Sequence, residues 1–161
     1  MDAGVDFMET GFLQTKVNGE TLVYHNSKDA IKYLPQDSKN TTYLGFCDNS
    51  RYTAEELDVC DGKSFKWLRI SFAKHEIEDS LKFCQAAQDK GYRVQFNPMD
   101  SISYTMEERA QLIEKVNIVK PAAFSIVDTF GAMYMTDLEV IFKQFDSLLD
   151  KDIMIGLHSH D

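Results

Sequence analysis

Gly156-Leu157-His158-Ser159-His160-Asp161 closes the 161-residue sequence, directly after the apolar run Ile153-Met154-Ile155. Residues 153–158 have the length and composition of a buried strand. Along a strand the side-chain period is two, so His158 and His160 point to the same side. Two imidazoles side by side at a strand end make half of a metal site. The competing reading is a surface strand end carrying two solvated histidines.

Working outward, the rest of the chain alternates short strand-like runs with helical ones. Strands are expected over residues 5–12, 42–47, 67–72, 92–97, 122–127 and 153–158. A short helix is expected over 27–33. Another is expected over 53–58, behind an N-cap at Thr53 with Glu56 three residues on. Residues 75–90 carry Ile77, Leu81, Phe83 and Cys84 at helical spacing and stop at Gly91. Residues 105–119 open with a Thr105/Glu108 capping box. Residues 136–149 place Leu138, Ile141, Phe142, Phe145 and Leu148 on one stripe. His75 sits at a helix start and His25 in a polar loop, so neither is a candidate ligand.

Strand, helix, strand with short connections means parallel βαβ units. Strands apolar on both sides imply a sheet covered on both faces. An open doubly wound sheet and a (β/α)8 barrel compete. Gly11-Phe12-Leu13 is not a GxGxxG phosphate loop, which weakens the dinucleotide-binding sheet. The barrel gains from its strand ends, where Glu9, Asp48, Asn49, Ser71, Lys74, Gln95, Asn97, Asp100, Asp128, Thr129, His158 and His160 fall. In a barrel those C-terminal ends converge on one face, and active sites form there. Six strands are two short of a closed barrel. The expectation is one α/β domain over residues 1–161, a partial (β/α)8 TIM barrel that is a piece of a larger one.

A net charge of −9 argues against a nucleic-acid or anionic-membrane surface, because phosphate binding needs a basic footprint. No apolar run approaches bilayer-spanning length. No secretory leader is visible at Met1-Asp2-Ala3-Gly4. Cys47, Cys60 and Cys84 show no CxxC spacing and no even pairing, which fits free or buried thiols in a reducing, cytoplasmic compartment.

Three motifs occur in order: Val5-Asp6-Phe7-Met8-Glu9-Thr10-Gly11-Phe12, Val127-Asp128-Thr129-Phe130-Gly131, and Gly156-Leu157-His158-Ser159-His160-Asp161. Together they resemble the DRE-TIM metallolyases: hydroxymethylglutaryl-CoA lyase, the 4-hydroxy-2-oxovalerate aldolases, and the isopropylmalate and homocitrate synthases. The resemblance covers the chain as strands two to seven of their barrel, without strand one or strand eight. It implies a divalent metal, Mn²⁺, Mg²⁺ or Zn²⁺, held by His158 and His160. The family's strand-one arginine and ligating aspartate have no counterpart here, and a further ligand and strand-eight residues also fall outside. Glu9 matches the strand-two acid close to the metal. Asp128 and Thr129 match the Asp-Thr pair beside the substrate.

The resemblance therefore implies a carbon–carbon lyase or aldolase acting on a 2-oxo or hydroxy acid, or on a CoA thioester, through a metal-stabilised enolate. That chemistry suits neutral imidazole and carboxylate ligands. A catalytically silent barrel fragment, serving as a binding or assembly module, is the alternative. Asp128 reads equally as the cap of the following helix. Glu9 has a structural reading as a buried acid. Asn97 and Asp100 read as turn formers around Pro98, and Cys47 as a buried thiol. Asp161 could complete the metal shell. Two open sheet edges predict self-association, as a homo-oligomer.

Overall fold

Strand formation follows the apolar runs closely in the second half of the chain. In the computed structural model, residues 4–17, 19, 22–35 and 41–160 are described. Seven strands form one parallel sheet: β1 (Phe7–Leu13), β2 (Val23–Tyr24), β3 (Thr42–Asp48), β4 (Trp67–Phe72), β5 (Arg93–Pro98), β6 (Ala123–Val127) and β7 (Met154–His158). Their spatial order is β2-β1-β3-β4-β5-β6-β7. The fold is a partial (β/α)8 barrel, an open parallel sheet with its crossovers on the outside.

The strand count corrects the sequence reading, which gave six. β2 is only two residues long, too short to show a periodicity. It runs beside the end of β1, pairing Phe12 with Val23 and Leu13 with Tyr24. β1 itself starts at Phe7 rather than at Val5. Between Glu9 and Phe12 it takes three steps against two on β3.

Three α-helices follow the later strands: α1 (Ile77–Asp89), α2 (Met106–Val119) and α3 (Met135–Leu148). At the start of α2 the capping box forms as expected. Thr105 Oγ1 accepts from the Glu108 N–H at 3.2 Å, and the Glu108 carboxylate accepts from the Thr105 N–H at 2.8 Å. The box expected at Thr53 does not form, and residues 53–58 are not helical. There Thr53 donates through both its N–H and its hydroxyl to the Glu56 carboxylate, which is only half of the reciprocal pair that a capping box needs. Lys90 Nζ then takes the carbonyls of Ala54 and Leu57, at 2.6 and 2.5 Å. Fully buried Ser27 ties the same connection down, through Asp58, Ser64 and Tyr92.

The helices cover one face of the sheet, not both. Along β4, Leu68, Ile70 and Phe72 alternate with Trp67, Arg69 and Ser71. The first set belongs to the main core with Leu81, Phe83 and Cys84 of α1, Leu112 and Val116 of α2, and Ile141 and Phe145 of α3. The second set faces inward, where only Leu44, Trp67 and Ala123 make a small separate apolar cluster. The sequence showed apolar residues on both strand faces, but the inner set is too small to seat a second helical layer. Phe142 and Leu148, expected in the buried stripe of α3, are half exposed.

A row of rings runs through the main core. Phe72 stacks on Phe96 at 4.3 Å, Phe96 lies 6.3 Å from Phe124, and Phe124 is parallel to Phe145 at 4.9 Å. All four are essentially fully buried. Phe96 and Phe124 each have two stacked partners, and truncating either leaves a cavity in a close-packed core. Phe124→Ala should therefore cost about 3–5 kcal/mol of stability. Denaturant unfolding of the two proteins, compared at equal denaturant dependence, checks this.

Candidate metal centre

Parallel pairing gathers the C-terminal strand ends on one edge. β7 delivers His158 there, opposite Val127 of β6. The ladder runs one step further, because the Asp128 N–H donates to the His158 carbonyl at 2.9 Å. The chain then brings His160 back over the same spot. Its ring lies 4.7 Å from that of His158, at 89° to it. His160 Nδ1 sits 2.6 Å from the Asp128 carbonyl oxygen. A carbonyl can only accept, so Nδ1 carries a proton, and in the neutral ring Nε2 is left with the lone pair.

That arrangement fits a metal ligand. Ligating histidines characteristically give their other ring N–H to a carbonyl or carboxylate, which fixes ring and tautomer. The pair supplies two imidazole positions. Among the described residues no cluster of three or more His, Cys, Asp and Glu is placed to hold an ion. Asp161, the further ligand considered from the sequence, lies outside the described residues.

Glu9 is on the inner face, but it is not a free carboxylate. Arg69 of β4 grips it with two hydrogen bonds, Nε to Oε2 at 2.6 Å and Nη2 to Oε1 at 2.9 Å. The pair is partly screened from water, with side-chain exposures of 15% for Arg69 and 28% for Glu9. The Arg69 guanidinium also lies over the Phe46 ring, 4.4 Å from its centroid. Sequence reading passed over Arg69. The available signal was a lone charge between Leu68 and Ile70 in an otherwise apolar strand.

The pair reaches His158. Its pKa is lowered, first by burial and then by the positive charge of Arg69 and by His160, with Glu9 acting in the opposite direction. A lowered value keeps the imidazole neutral, which is the ligating form. The associated stability is present above the ordinary imidazole value and is lost as pH falls through the folded one.

Asp128 and Thr129 stand beside the histidines with their polar atoms engaged. The Asp128 carboxylate accepts the N–H groups of Ala132 and Met133, at 2.9 and 3.1 Å, so it shapes the turn before α3. Thr129 Oγ1 accepts the Asp100 N–H at 2.7 Å, holding the end of β5 against the end of β6. Asp100 is left-handed, with φ of 54°, and occupies the turn as expected. Asn97 does not. It lies within β5, fully buried, and neither side-chain amide atom has a partner among the described residues. Next to it, Gln95 Nε2 donates to fully buried Ser125 Oγ at 3.1 Å. Cys47 is buried, as expected, and its thiol is pushed well above its ordinary value by burial, then by Glu9.

Comparison with known proteins bears on the family and the fold. Residues 65–161 match the family model described as HMGL-like. A homocitrate synthase from Pyrococcus horikoshii is 22% identical over 174 residues, covering 99% of this chain and 44% of that protein. The N-terminal domain of a candidate aldolase from Bacteroides vulgatus superposes with a TM-score of 0.72 at 19% identity, over 97% of this chain and 52% of that one. The HMG-CoA lyase of Bacillus subtilis gives 0.63 at 17% identity, over 83% and 51%. The chain thus spans about half the length of these relatives.

The charge geometry around His158 fixes the sign of two substitutions. Arg69→Gln removes a positive neighbour and should raise the His158 pKa toward its ordinary value. Glu9→Gln removes a negative one and should lower it further. An NMR titration of the histidine ring resonances against pH distinguishes the two directions.

Proposed function

This chain belongs to the HMGL-like family, and from that membership we propose that it carries part of the active site of a divalent-metal-dependent carbon–carbon lyase or aldolase. The substrate class is a 2-oxo or hydroxy acid, or the CoA thioester of one. The relatives named above, a homocitrate synthase and an HMG-CoA lyase, support the coarse reading. The observation that carries it is the His158–His160 pair, with His160 Nδ1 pinned to the Asp128 carbonyl and Nε2 free.

In this reading His158 and His160 hold the ion, Mn²⁺, Mg²⁺ or Zn²⁺. When bound, such an ion supplies Lewis acidity toward an oxygen that gains negative charge beside a carbonyl. His160 is oriented by the Asp128 main chain, and His158 is kept neutral by burial and by Arg69. Glu9 balances Arg69, so that the cation neither repels the ion outright nor stands alone in a half-buried place. Asp128 and Thr129 border the substrate position. Residues 1–161 act as one unit, an incomplete barrel.

A binding or assembly module is the second reading. It is favoured by the apolar side chains exposed along β7 and α3, among them Met154, Leu157, Met135 and Phe142. The open edge of β7 would then pair with a second copy, giving a homo-oligomer. For localisation, no helix among the described residues is long and apolar enough to cross a membrane.

The full-length protein should release or consume a 2-oxo acid or acyl-CoA when supplied with Mn²⁺ and a panel of hydroxy and oxo acids. His158→Ala and His160→Ala should each lower turnover by more than about 100-fold, since even outer-sphere partners of a metal are worth 10–100-fold. Chelation should abolish turnover and added Mn²⁺ restore it. Bound Mn²⁺ without turnover on any acid would favour the assembly module.

A further inference from the structure

We propose that Gly156 is a positioning residue for the histidine pair: the side chain it lacks leaves room for the Ser125 hydroxyl, and that fit sets where β7 carries His158 and His160.

Gly156 pairs directly with Ser125 across the β6–β7 ladder, and His158 follows two residues later on the same face. A Cβ at position 156 would lie 2.6 Å from Ser125 Oγ, 3.4 Å from Ser125 Cβ and 3.6 Å from Gln95 Nε2. The first distance is a clash and the other two are ordinary contacts. The hydroxyl cannot simply turn aside. Ser125 is fully buried, and its Oγ accepts the Gln95 amide at 3.1 Å. Rotation would cost the hydrogen bond between that fully buried hydroxyl and the half-buried Gln95 amide.

Something must therefore move, and the topology says what. β6 is paired on both sides, with β5 and β7, whereas among the described residues β7 is paired with β6 alone. A side chain at position 156 would push β7 away from β6. The displacement would pass straight to the pair. The His158 carbonyl is bonded to the Asp128 N–H, and the Asp128 carbonyl receives His160 Nδ1. Two hydrogen bonds thus separate the Ser125–Gly156 contact from the second imidazole.

The test is a double-mutant cycle on Gly156→Ala, Ser125→Ala and the pair, read in two ways. The first readout is hydrogen exchange of the Asp128 amide, which needs no metal. Gly156→Ala should speed it by about tenfold or more, and S125A/G156A should bring it back to within about threefold of the parent. Ser125→Ala alone should change it little. The second readout is calorimetry with Zn²⁺ alone, which two imidazoles suit. Gly156→Ala should weaken binding about 10–100-fold, with recovery in the double variant.

Unchanged exchange in Gly156→Ala overturns the proposal, because Ser125 would then have yielded. A double variant as impaired as the single one overturns it as well. Should Gly156→Ala fail to fold, recovery of folding in S125A/G156A supports the proposal and continued failure refutes it. The Zn²⁺ readout rests on the proposed function. A parent protein that binds no Zn²⁺ while the exchange pattern holds would remove the metal assignment and leave the positioning role standing.

Discussion

Every strand pairing in the sheet is parallel, and the site depends on that constraint. Parallel strands need crossovers, which here place α1, α2 and α3 on the outer face and build the main core between helices and sheet. The same rule sends every strand's C-terminal end to one edge. Ser71, Asn97, Asp128 and the two histidines meet there, although they come from four different βα units.

Within that frame, charge on the inner face is handled by compensation rather than by exposure. Arg69 is half-buried in a strand, where an unpaired guanidinium would be costly. Glu9 on β1 meets it with both oxygens and Phe46 lies beneath it. Burial is the first cause that lowers the His158 proton affinity, with Arg69 and His160 adding to it and Glu9 opposing them. The polar row beside it is uncharged. Gln95 and Ser125 satisfy each other, and Asn97 is buried with neither amide atom partnered among the described residues.

The second half of the fold was legible because its signals were local. Apolar runs fixed β4 to β7 within a residue or so, and the Thr105–Glu108 box formed as its spacing implied. The histidine pair was legible in part: strand period places His158 at the end of β7, whereas His160 lies past that end and is set by its bond to the Asp128 carbonyl. What failed was non-local or competitive. Thr53 and Glu56 carry a helix-start spacing, but Lys90 and the Ser27–Asp58–Tyr92 group claim that connection from elsewhere. Asn97 looked like a turn residue beside Pro98, yet the strand extends through both. Glu9, expected at a strand end, lies within β1, and its partner Arg69 stands 60 residues away, beyond any periodicity.

The ring row of Phe72, Phe96, Phe124 and Phe145 bears on how the chain finds this structure. The first two links each join one βα unit to the next and the third closes β6 on its own helix α3, and the separations along the sequence are similar. Loop-closure entropy grows only with the logarithm of length, so the three closures differ by roughly a few tenths of a kcal/mol. No link needs distant parts of the chain to meet first. The outer core can grow unit by unit along the sequence, which keeps contact order low for a parallel sheet. β1 and β2 stand outside this row: among the described residues no α-helix directly follows either strand, and none of the three ring contacts involves them.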